Sequence, residues 1–211
     1  LLGSLATIDA EHLMLLLGMK ADPWQQTVLR AGADRLLMLC SRQSGKSSTS
    51  AVLALHNILT KPGSLVLLLS PSLRQSGELF KKLVHYYRQL GRPVPSAQET
   101  ALTLTLTNGS RVVSLPGDEK NIRGFSGVAL LIIDEAARVA DDLYYSVRPM
   151  LAVSGGRLVV LSTPFGKRGW FHDEWHGKGP WERVKVTADQ CPRIAPAFLE
   201  DEKRALGERW Y

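Results

Sequence analysis

Cys40-Ser41-Arg42-Gln43-Ser44-Gly45-Lys46-Ser47 is the stretch that decides the fold of this 211-residue chain. A short apolar run precedes it at residues 36–39, and an amphipathic stretch follows it at residues 46–59. A strand that turns sharply into a helix directs successive backbone N–H groups at one point, where they can cradle phosphate groups. The eight residues fit the phosphate-loop pattern except at Cys40, where the pattern has glycine and where a small side chain should still allow the turn.

The residue types within this loop suit separate roles in binding a nucleoside triphosphate. Lys46 is expected to reach the β and γ phosphates, and the Ser47 hydroxyl is expected to ligate Mg²⁺. Gly45 lets the backbone approach a phosphate without a Cβ in the way. Arg42 can reach the γ phosphate or pair with a nearby acid, so we assign it a catalytic role beside Lys46. The predicted nucleotide contacts here are Ser41, Arg42, Gln43, Ser44, Gly45, Lys46, Ser47 and Ser48.

Two carboxylates follow a second apolar run at residues 130–133. Asp134 is predicted to hold the Mg²⁺ shell if this strand ends beside the phosphate loop. Glu135 is predicted to polarise the attacking water as a general base. The alternative is an ordinary strand end with solvated acids. A glutamate directly after the aspartate favours hydrolysis over nucleotide binding alone.

Two loop residues are further candidates for catalysis. Arg123 stands beside a glycine in a loop, which suits an arginine finger acting in its own subunit or on a neighbour. The alternative for Arg123, as for Arg42, is a surface salt bridge. Thr163, in Ser162-Thr163-Pro164 at the end of another apolar run, is predicted to sense the γ phosphate. The alternative there is a plain turn closed by Pro164.

Residues before the first strand supply a candidate adenine pocket. Trp24 is predicted to pack near the base, and Gln25 to bond its edge, because a side-chain amide carries both a donor and an acceptor. The alternative is a helix start, with Asp22 as the cap and Pro23 in the first turn. We expect the cap to leave Gln25 free, so both interpretations can hold together.

The remaining pattern predicts an α/β fold. Short apolar runs that suit buried strands alternate with amphipathic stretches that suit helices, namely residues 46–59, 73–90 and 141–151. Asn108-Gly109 separates two alternating runs, which is a strong signal for an antiparallel hairpin. Residues 181–187 predict a further strand. The predicted fold class is therefore a mainly parallel sheet flanked by helices, as in ASCE/RecA-like P-loop NTPases, with an added antiparallel hairpin and a small C-terminal lid or linker region.

Composition sets the expected environment. The formal net charge of +6 permits contact with a polyanion without requiring it. A basic set on one predicted helix and turn is interpreted as a solvated face: Arg74, Lys81, Lys82, Arg88 and Arg92. No apolar run approaches the ~20 residues of a membrane span, the start lacks a signal-peptide pattern, and two cysteines show no framework spacing. We therefore expect a soluble protein with no membrane partner in a reduced, intracellular setting.

The ordered set of motifs resembles the ATPase domain of the phage terminase large subunit. The resemblance spans most of the chain and rests on Trp24-Gln25, the phosphate loop, Arg123-Gly124-Phe125, residues 132–136, Ser162-Thr163-Pro164 and residues 166–171. It implies a motor that uses ATP and Mg²⁺ to package viral double-stranded DNA into a procapsid, in the host cell cytoplasm. It implies a portal protein and a small terminase subunit as partners, and a homo-oligomeric ring of five when active, with a monomer in isolation left open.

The resemblance also assigns roles and a domain division. It implies Gln25 for adenine, Arg42 as the loop's own arginine, Arg123 as a finger across subunits, and residues 162–164 as a coupling motif. The predicted division is an ATPase core at residues 1–164 and a lid or linker region at residues 165–211, leading to a nuclease domain that the family carries. No acidic cluster on apolar strands follows Asp189, so nuclease activity is not expected of this chain.

Two other functions compete with the packaging motor. A helicase-like translocase needs a second RecA-like lobe in the same chain, for which 211 residues are too few. A nucleotide-gated assembly module would use ATP to hold a ring together, with turnover incidental. Glu135 and Arg123 argue against this module, since it needs neither a general base nor a finger.

Overall fold

One eight-stranded sheet carries the fold, in a computed structural model that describes residues 8–117, 122 and 124–206. Its strands are β1 (Arg35–Cys40), β2 (Leu65–Leu69), β3 (Ser96–Glu99), β4 (Thr103–Leu106), β5 (Arg111–Leu115), β6 (Val128–Asp134), β7 (Arg157–Ser162) and β8 (Glu182–Val186). The helices are α1 (Ala10–Leu16), α2 (Pro23–Arg30), α3 (Lys46–Thr60), α4 (Leu73–Gln89), α5 (Asp141–Val147), α6 (Gly169–His176) and α7 (Pro196–Leu206).

The strand order is β3-β4-β5-β2-β6-β7-β1-β8. Pairings from β5 through β8 are parallel, and β3, β4 and β5 pair antiparallel to one another. The predicted mainly parallel α/β fold with an added antiparallel part is confirmed. Because β7 lies between β1 and β6, the phosphate loop after β1 and the acids after β6 are separated by one strand.

Both faces of the sheet are covered, as the continuous apolar runs predict. Leu36 and Met38 of β1 pack with residues of α1 to α4, whereas Leu37 between them packs with residues of α5 and α6. All three side chains are fully buried. A strand with no polar face can sit only between two helical layers, so β1 is held in the middle of the molecule and presents the loop at its end.

The predicted hairpin joins β4 to β5. Gly109 adopts φ 82°, the left-handed conformation that the turn requires, and the Ser110 N–H donates to Asn108 Oδ1 at 3.0 Å. Leu104 and Leu106 are buried, which matches the alternating pattern. The sequence did not predict β3, because its four residues, Ser96–Glu99, show no apolar alternation and lie at the sheet edge.

The predicted helix over residues 141–151 is wrong at its end. The helix stops at Val147, and Arg148–Leu151 form a 3-10 turn. Pro149 explains the change, because it has no N–H to continue the α-helical ladder. The predicted strand at residues 181–187 is confirmed as β8, which pairs with β1 at the other sheet edge. None of the helices in the described residues is long and apolar enough to cross a membrane.

Candidate functional site

The phosphate-loop residues form a tight turn between β1 and α3. Gly45 caps α3 with φ 93°, and Gln43 also adopts a left-handed backbone, with φ 58°. The φ of Gly45 is one that L side chains rarely adopt, and a Cβ there would lie 2.9 Å from both Gln25 Nε2 and Arg193 Nη2, so these side chains would have to shift. Cys40 at the first position of the pattern is fully buried, and its small side chain does fit the turn.

Lys46 joins the phosphate loop to the acidic pair. Its Nζ donates to Asp134 Oδ1 at 3.1 Å and also to Glu135 Oε1. Only 12% of the Lys46 side chain is exposed, against 10% for Asp134 and 19% for Glu135. The acids therefore do not stand at a solvated strand end, and the structure brings both against Lys46 of the loop. Their roles as magnesium ligand and general base stay predictions.

Burial and pairing shift the ionisation of these three groups in different directions. Burial raises the pKa of Asp134 above its ordinary value, and this outweighs the nearby charge of Lys46. Burial also acts to raise the pKa of Glu135, but the hydrogen bond and charge of Lys46 outweigh it and lower that pKa. Burial would lower the pKa of Lys46, but both carboxylates reverse this and raise it. Glu135 is thus the more readily ionised carboxylate of the pair.

Glu135 is oriented by the strand that lies next to its own. Its second carboxylate oxygen, Oε2, accepts a hydrogen bond from Thr163 Oγ1 at 3.1 Å. Its backbone is left-handed, with φ 51° and ψ 40°, and its N–H donates to Asp134 Oδ1 at 2.9 Å. Ser162 Oγ accepts from the Ala137 N–H at 3.1 Å, which ties the end of β7 to the turn after Glu135. A strained glutamate held from several sides is typical of functional sites.

A cavity of about 500 Å³ opens beside these groups. Six predicted residues of the loop region line it, together with Glu135 and Thr163: Arg42, Gln43, Gly45, Lys46, Ser47 and Ser48. The lining carries four cationic side chains, which suits a polyanionic ligand such as a nucleoside triphosphate: Arg42, Lys46, Lys82 and Arg138.

Three lining residues were not assigned to the site from sequence: Gln75, Lys82 and Arg138. The interpretation of Lys82 as part of a solvated helix face is wrong, because its Nζ lies 3.4 Å from Ser48 Oγ and its side chain is half-buried. Arg138 follows Glu135 by three residues and stacks over the Phe165 ring at 3.9 Å. That short spacing is the one sequence signal for Arg138. Lys82 has none, since only the fold brings α4 against the loop.

The predicted adenine residues do not line this cavity. Trp24 is about nine-tenths buried among core residues. Gln25 is almost fully buried, and its Oε1 accepts from the Asp22 N–H at 2.9 Å while its Nε2 donates to Thr49 Oγ1 at 3.0 Å. The expectation that the helix cap leaves Gln25 free is wrong, because Gln25 itself completes the cap. Contact of Trp24 or Gln25 with adenine stays a prediction.

The other predicted contacts fall on the far side of the loop or outside the described residues. The Ser41 N–H donates to Val186 O at 2.8 Å, so Ser41 faces β8. Ser44 is fully buried, and its carbonyl accepts from Arg193, which sequence analysis missed. Arg123 lies outside the described residues, so its role as a finger stays a prediction.

The side chains beside the cavity suit a magnesium ion only if phosphate oxygens of a bound nucleotide complete its ligands. No group of three or more His, Cys, Asp or Glu side chains within residues 8–117, 122 and 124–206 is arranged to hold a metal ion. Mg²⁺ is commonly held by one or two carboxylates, waters and substrate phosphates. Ser47 lines the cavity, and Asp134 accepts a hydrogen bond from Lys46, which also lines it, so both residue types suit such ligands.

A family model and related sequences both match the terminase large subunit. The family model described as "Terminase large subunit, T4likevirus-type, N-terminal" matches residues 37–204. The terminase large subunit of Thermus phage G20c is 28% identical over 178 residues, which cover 75% of this chain and 36% of that protein. The chain thus spans little more than a third of the length of that relative.

Two solved structures share the fold. The large terminase ATPase domain of Thermus phage P74-26 matches with a TM-score of 0.82 at 22% identity, covering 96% of this chain and 95% of that one. The large terminase of a thermophilic bacteriophage, solved in complex with ATP-gamma-S, matches with a TM-score of 0.65 at 17% identity, covering 87% of this chain and 49% of that one.

Proposed function

This chain belongs to the terminase large-subunit family, and on that premise we propose that it is the ATP-hydrolysing motor domain that drives packaging of viral double-stranded DNA into a procapsid. The observation that carries the proposal is the meeting of Lys46 from the phosphate loop with Asp134 and Glu135 from β6. That meeting takes place beside a cavity also lined by the cationic side chains of Arg42, Lys82 and Arg138, which suits a triphosphate better than a neutral ligand.

ATP and Mg²⁺ are the proposed cofactors. Backbone N–H groups of residues 42–47 would cradle the phosphates, and a bound triphosphate would compete with the two carboxylates for Lys46 Nζ. Ser47 and Asp134 would hold Mg²⁺, which when bound neutralises charge on the phosphate oxygens. Arg42 and Arg138, which both line the cavity, would add positive charge near the γ phosphate.

Glu135 is the proposed proton acceptor for the attacking water. As the water oxygen bonds to the γ phosphorus, the bond from that phosphorus to the ADP oxygen breaks and the water proton passes to the Glu135 carboxylate. Thr163 Oγ1 donates to Glu135 Oε2, so it positions the carboxylate and would register a change at the γ phosphate. Lys46 keeps its positive charge, because the acids around it raise its pKa.

The finer assignments extend this proposal. Arg123 would act as an arginine finger on a neighbouring subunit of a homo-oligomeric ring, with five subunits by family resemblance. Double-stranded DNA, a portal protein and a small terminase subunit are the proposed partners, in the host cell cytoplasm. Residues 165–211 are proposed as a lid or linker region, although β8 within them is also a strand of the core sheet.

Turnover measured against protein concentration tests the proposal. ATP hydrolysis per subunit should climb with concentration and rise further with double-stranded DNA, if Arg123 completes the site between subunits. Lys46→Ala should abolish hydrolysis, whereas Lys61→Ala, an exposed lysine just past the other end of the same helix, should leave it unchanged. Nucleotide-dependent association without turnover would refute the motor and favour the assembly module.

A further inference from the structure

A segment near the C-terminal end, residues 186–194, lies against the phosphate loop, and none of its residues lines the cavity beside Lys46. Val186 O accepts from the Ser41 N–H at 2.8 Å. Cys191 is buried, and its Sγ lies 3.7 Å from Ser41 Oγ. Ile194 packs on the core from the same segment. The loop is therefore supported by chain that follows it by about 150 residues, and this support stands apart from the groups assigned to catalysis.

Arg193 makes the most specific contact of this segment. Its Nη2 donates to the Ser44 carbonyl at 2.7 Å, and its Nη1 donates to Asp22 Oδ1 at 2.9 Å. The same Nη2 lies 2.7 Å from Asp22 Oδ2, so the guanidinium faces both carboxylate oxygens. Asp22 is 8% exposed and begins α2. One planar guanidinium thus links the loop, the start of α2 and the C-terminal segment, in a fork geometry that lysine does not reproduce.

The bond to Ser44 bears on how the loop presents itself to an anion. A backbone carbonyl turned toward phosphate would repel it, whereas the Ser44 carbonyl is held by Arg193, a side chain that does not line the cavity. The loop also holds Gln43 at φ 58°, which costs energy for a non-glycine residue and persists only when surrounding contacts fix it. Arg193 supplies such a contact, directly beside Gly45.

We propose that Arg193 is a positioning residue for nucleotide binding, which holds the phosphate loop in its binding conformation through the Ser44 carbonyl and so couples nucleotide affinity to the placement of residues 186–194. The proposal rests on the proposed ATPase function. Arg193 does not line the cavity, and its hydrogen bonds go to the Ser44 carbonyl and to Asp22, so the proposal places its action on the loop. Apparent affinity falls in proportion to the fraction of molecules whose loop is in the binding conformation.

Affinity and turnover of Arg193→Gln distinguish positioning from catalysis. The dissociation constant for a fluorescent ADP analogue should rise about tenfold, since a charge-assisted hydrogen bond that holds the loop is lost. The maximal hydrolysis rate at saturating ATP should stay within about twofold, because a loop contact acts on ground state and transition state alike. Arg204→Gln is the matched control, an exposed arginine paired with Asp201 in α7, and it should change neither value.

A second variant separates positioning from a role as counterion to Asp22. Arg193→Gln alone leaves the buried Asp22 carboxylate unpaired, so it should also lower the melting temperature. Adding Asp22→Asn should restore the melting temperature while the dissociation constant stays about tenfold high, because the Ser44 bond is still missing. Recovery of affinity together with stability would overturn the proposal, as would wild-type affinity in Arg193→Gln.

Thermodynamic linkage between nucleotide binding and the contact of residues 186–194 with the loop gives a second, reciprocal test. If Arg193 raises nucleotide affinity, ADP must in turn stabilise the contact of residues 186–194 with the loop. Hydrogen exchange of backbone amides in that segment should slow in the wild-type chain when ADP is added, and should not respond in Arg193→Gln. Equal exchange with and without ADP in a wild-type chain that binds ADP would refute the coupling. A wild-type chain that binds no ADP would instead refute the proposed function.

Discussion

Glu135→Gln is the substitution that separates chemistry from binding at this site. Glutamine keeps the size of the side chain and one acceptor oxygen, but it cannot take a proton from water. Positioned general bases contribute about 10²- to 10⁴-fold to rate, so turnover should fall by that factor. Lys46 keeps its hydrogen bond to Asp134 at 3.1 Å, and Thr163 can still donate to the amide oxygen. Affinity for ADP should therefore stay within about threefold.

The stability cost of this substitution should be small beside its effect on turnover. A hydrogen bond to a charged group contributes about 1.5–3 kcal/mol, and the substituted glutamine would retain part of it, so we expect a loss of about 1 kcal/mol. For a chain of this size that loss lowers the melting temperature by about 2–4 °C.

Single-turnover ATP hydrolysis, ADP titration and thermal melts measure the turnover, the affinity and the stability of Glu135→Gln. Glu78→Gln, at an exposed pair with Lys81, is the control and should change none of them. Turnover within tenfold of wild type would show that Glu135 is not the proton acceptor, and a large loss of affinity would make its role structural.

Three further predictions follow from local geometry. Gly45→Ala should raise the ADP dissociation constant at least tenfold, since φ 93° strains alanine and its Cβ would displace Gln25 Nε2 and Arg193 Nη2 from 2.9 Å, whereas Gly32→Ala has open space and should bind ADP normally. His56→Gln should flatten the pH dependence of the melting temperature between pH 7.5 and 5.5. Burial lowers the pKa of His56, so the unfolded chain takes the proton first and wild-type stability is lost as pH falls below about 6.5. Neither Cys40 nor Cys191 should react with a thiol reagent at pH 8 in the folded chain, because both are buried and burial raises the pKa of Cys40 to about 12; rapid modification would contradict the packing of the loop.

The local sequence was enough to predict the phosphate loop, the acids after β6 and the Asn108-Gly109 hairpin. Each of these depends on short-range rules: a glycine where φ is positive, a continuous apolar run where both sheet faces are covered, and an Asn-Gly pair where a tight turn is needed. The meeting of Lys46 with Asp134 was predicted from a motif pair and not from distance along the chain, since 88 residues separate them.

Lys82 and Arg193 could not be predicted, because their roles depend on tertiary packing alone. Lys82 lies on a helix whose other basic residues include exposed ones, and only the packing of α4 on α3 brings it to Ser48. Arg193 meets Asp22 across 171 residues of chain. Gln25 shows a different limit: its amide suits an adenine edge, yet the same donor and acceptor are used by Asp22 and Thr49. The residue type determines which hydrogen bonds a side chain can make, but tertiary packing determines which partner it meets.

The position of β7 explains why Thr163 reaches Glu135 Oε2 while Lys46 of the loop holds Glu135 Oε1. In the sheet register, Leu161 of β7 pairs with Asp134 while Ser162 pairs with Leu39 of β1. The next residue, Thr163, therefore emerges between the start of the phosphate loop and the acidic pair. A displacement of Glu135 toward or away from the cavity would change its 3.1 Å hydrogen bond with Thr163. The neighbouring Ser162 is hydrogen-bonded to the Ala137 N–H in the turn after Glu135. We propose that Thr163 and Ser162 relay a change at the phosphates to the chain after β7, which is the physical requirement for coupling hydrolysis to movement.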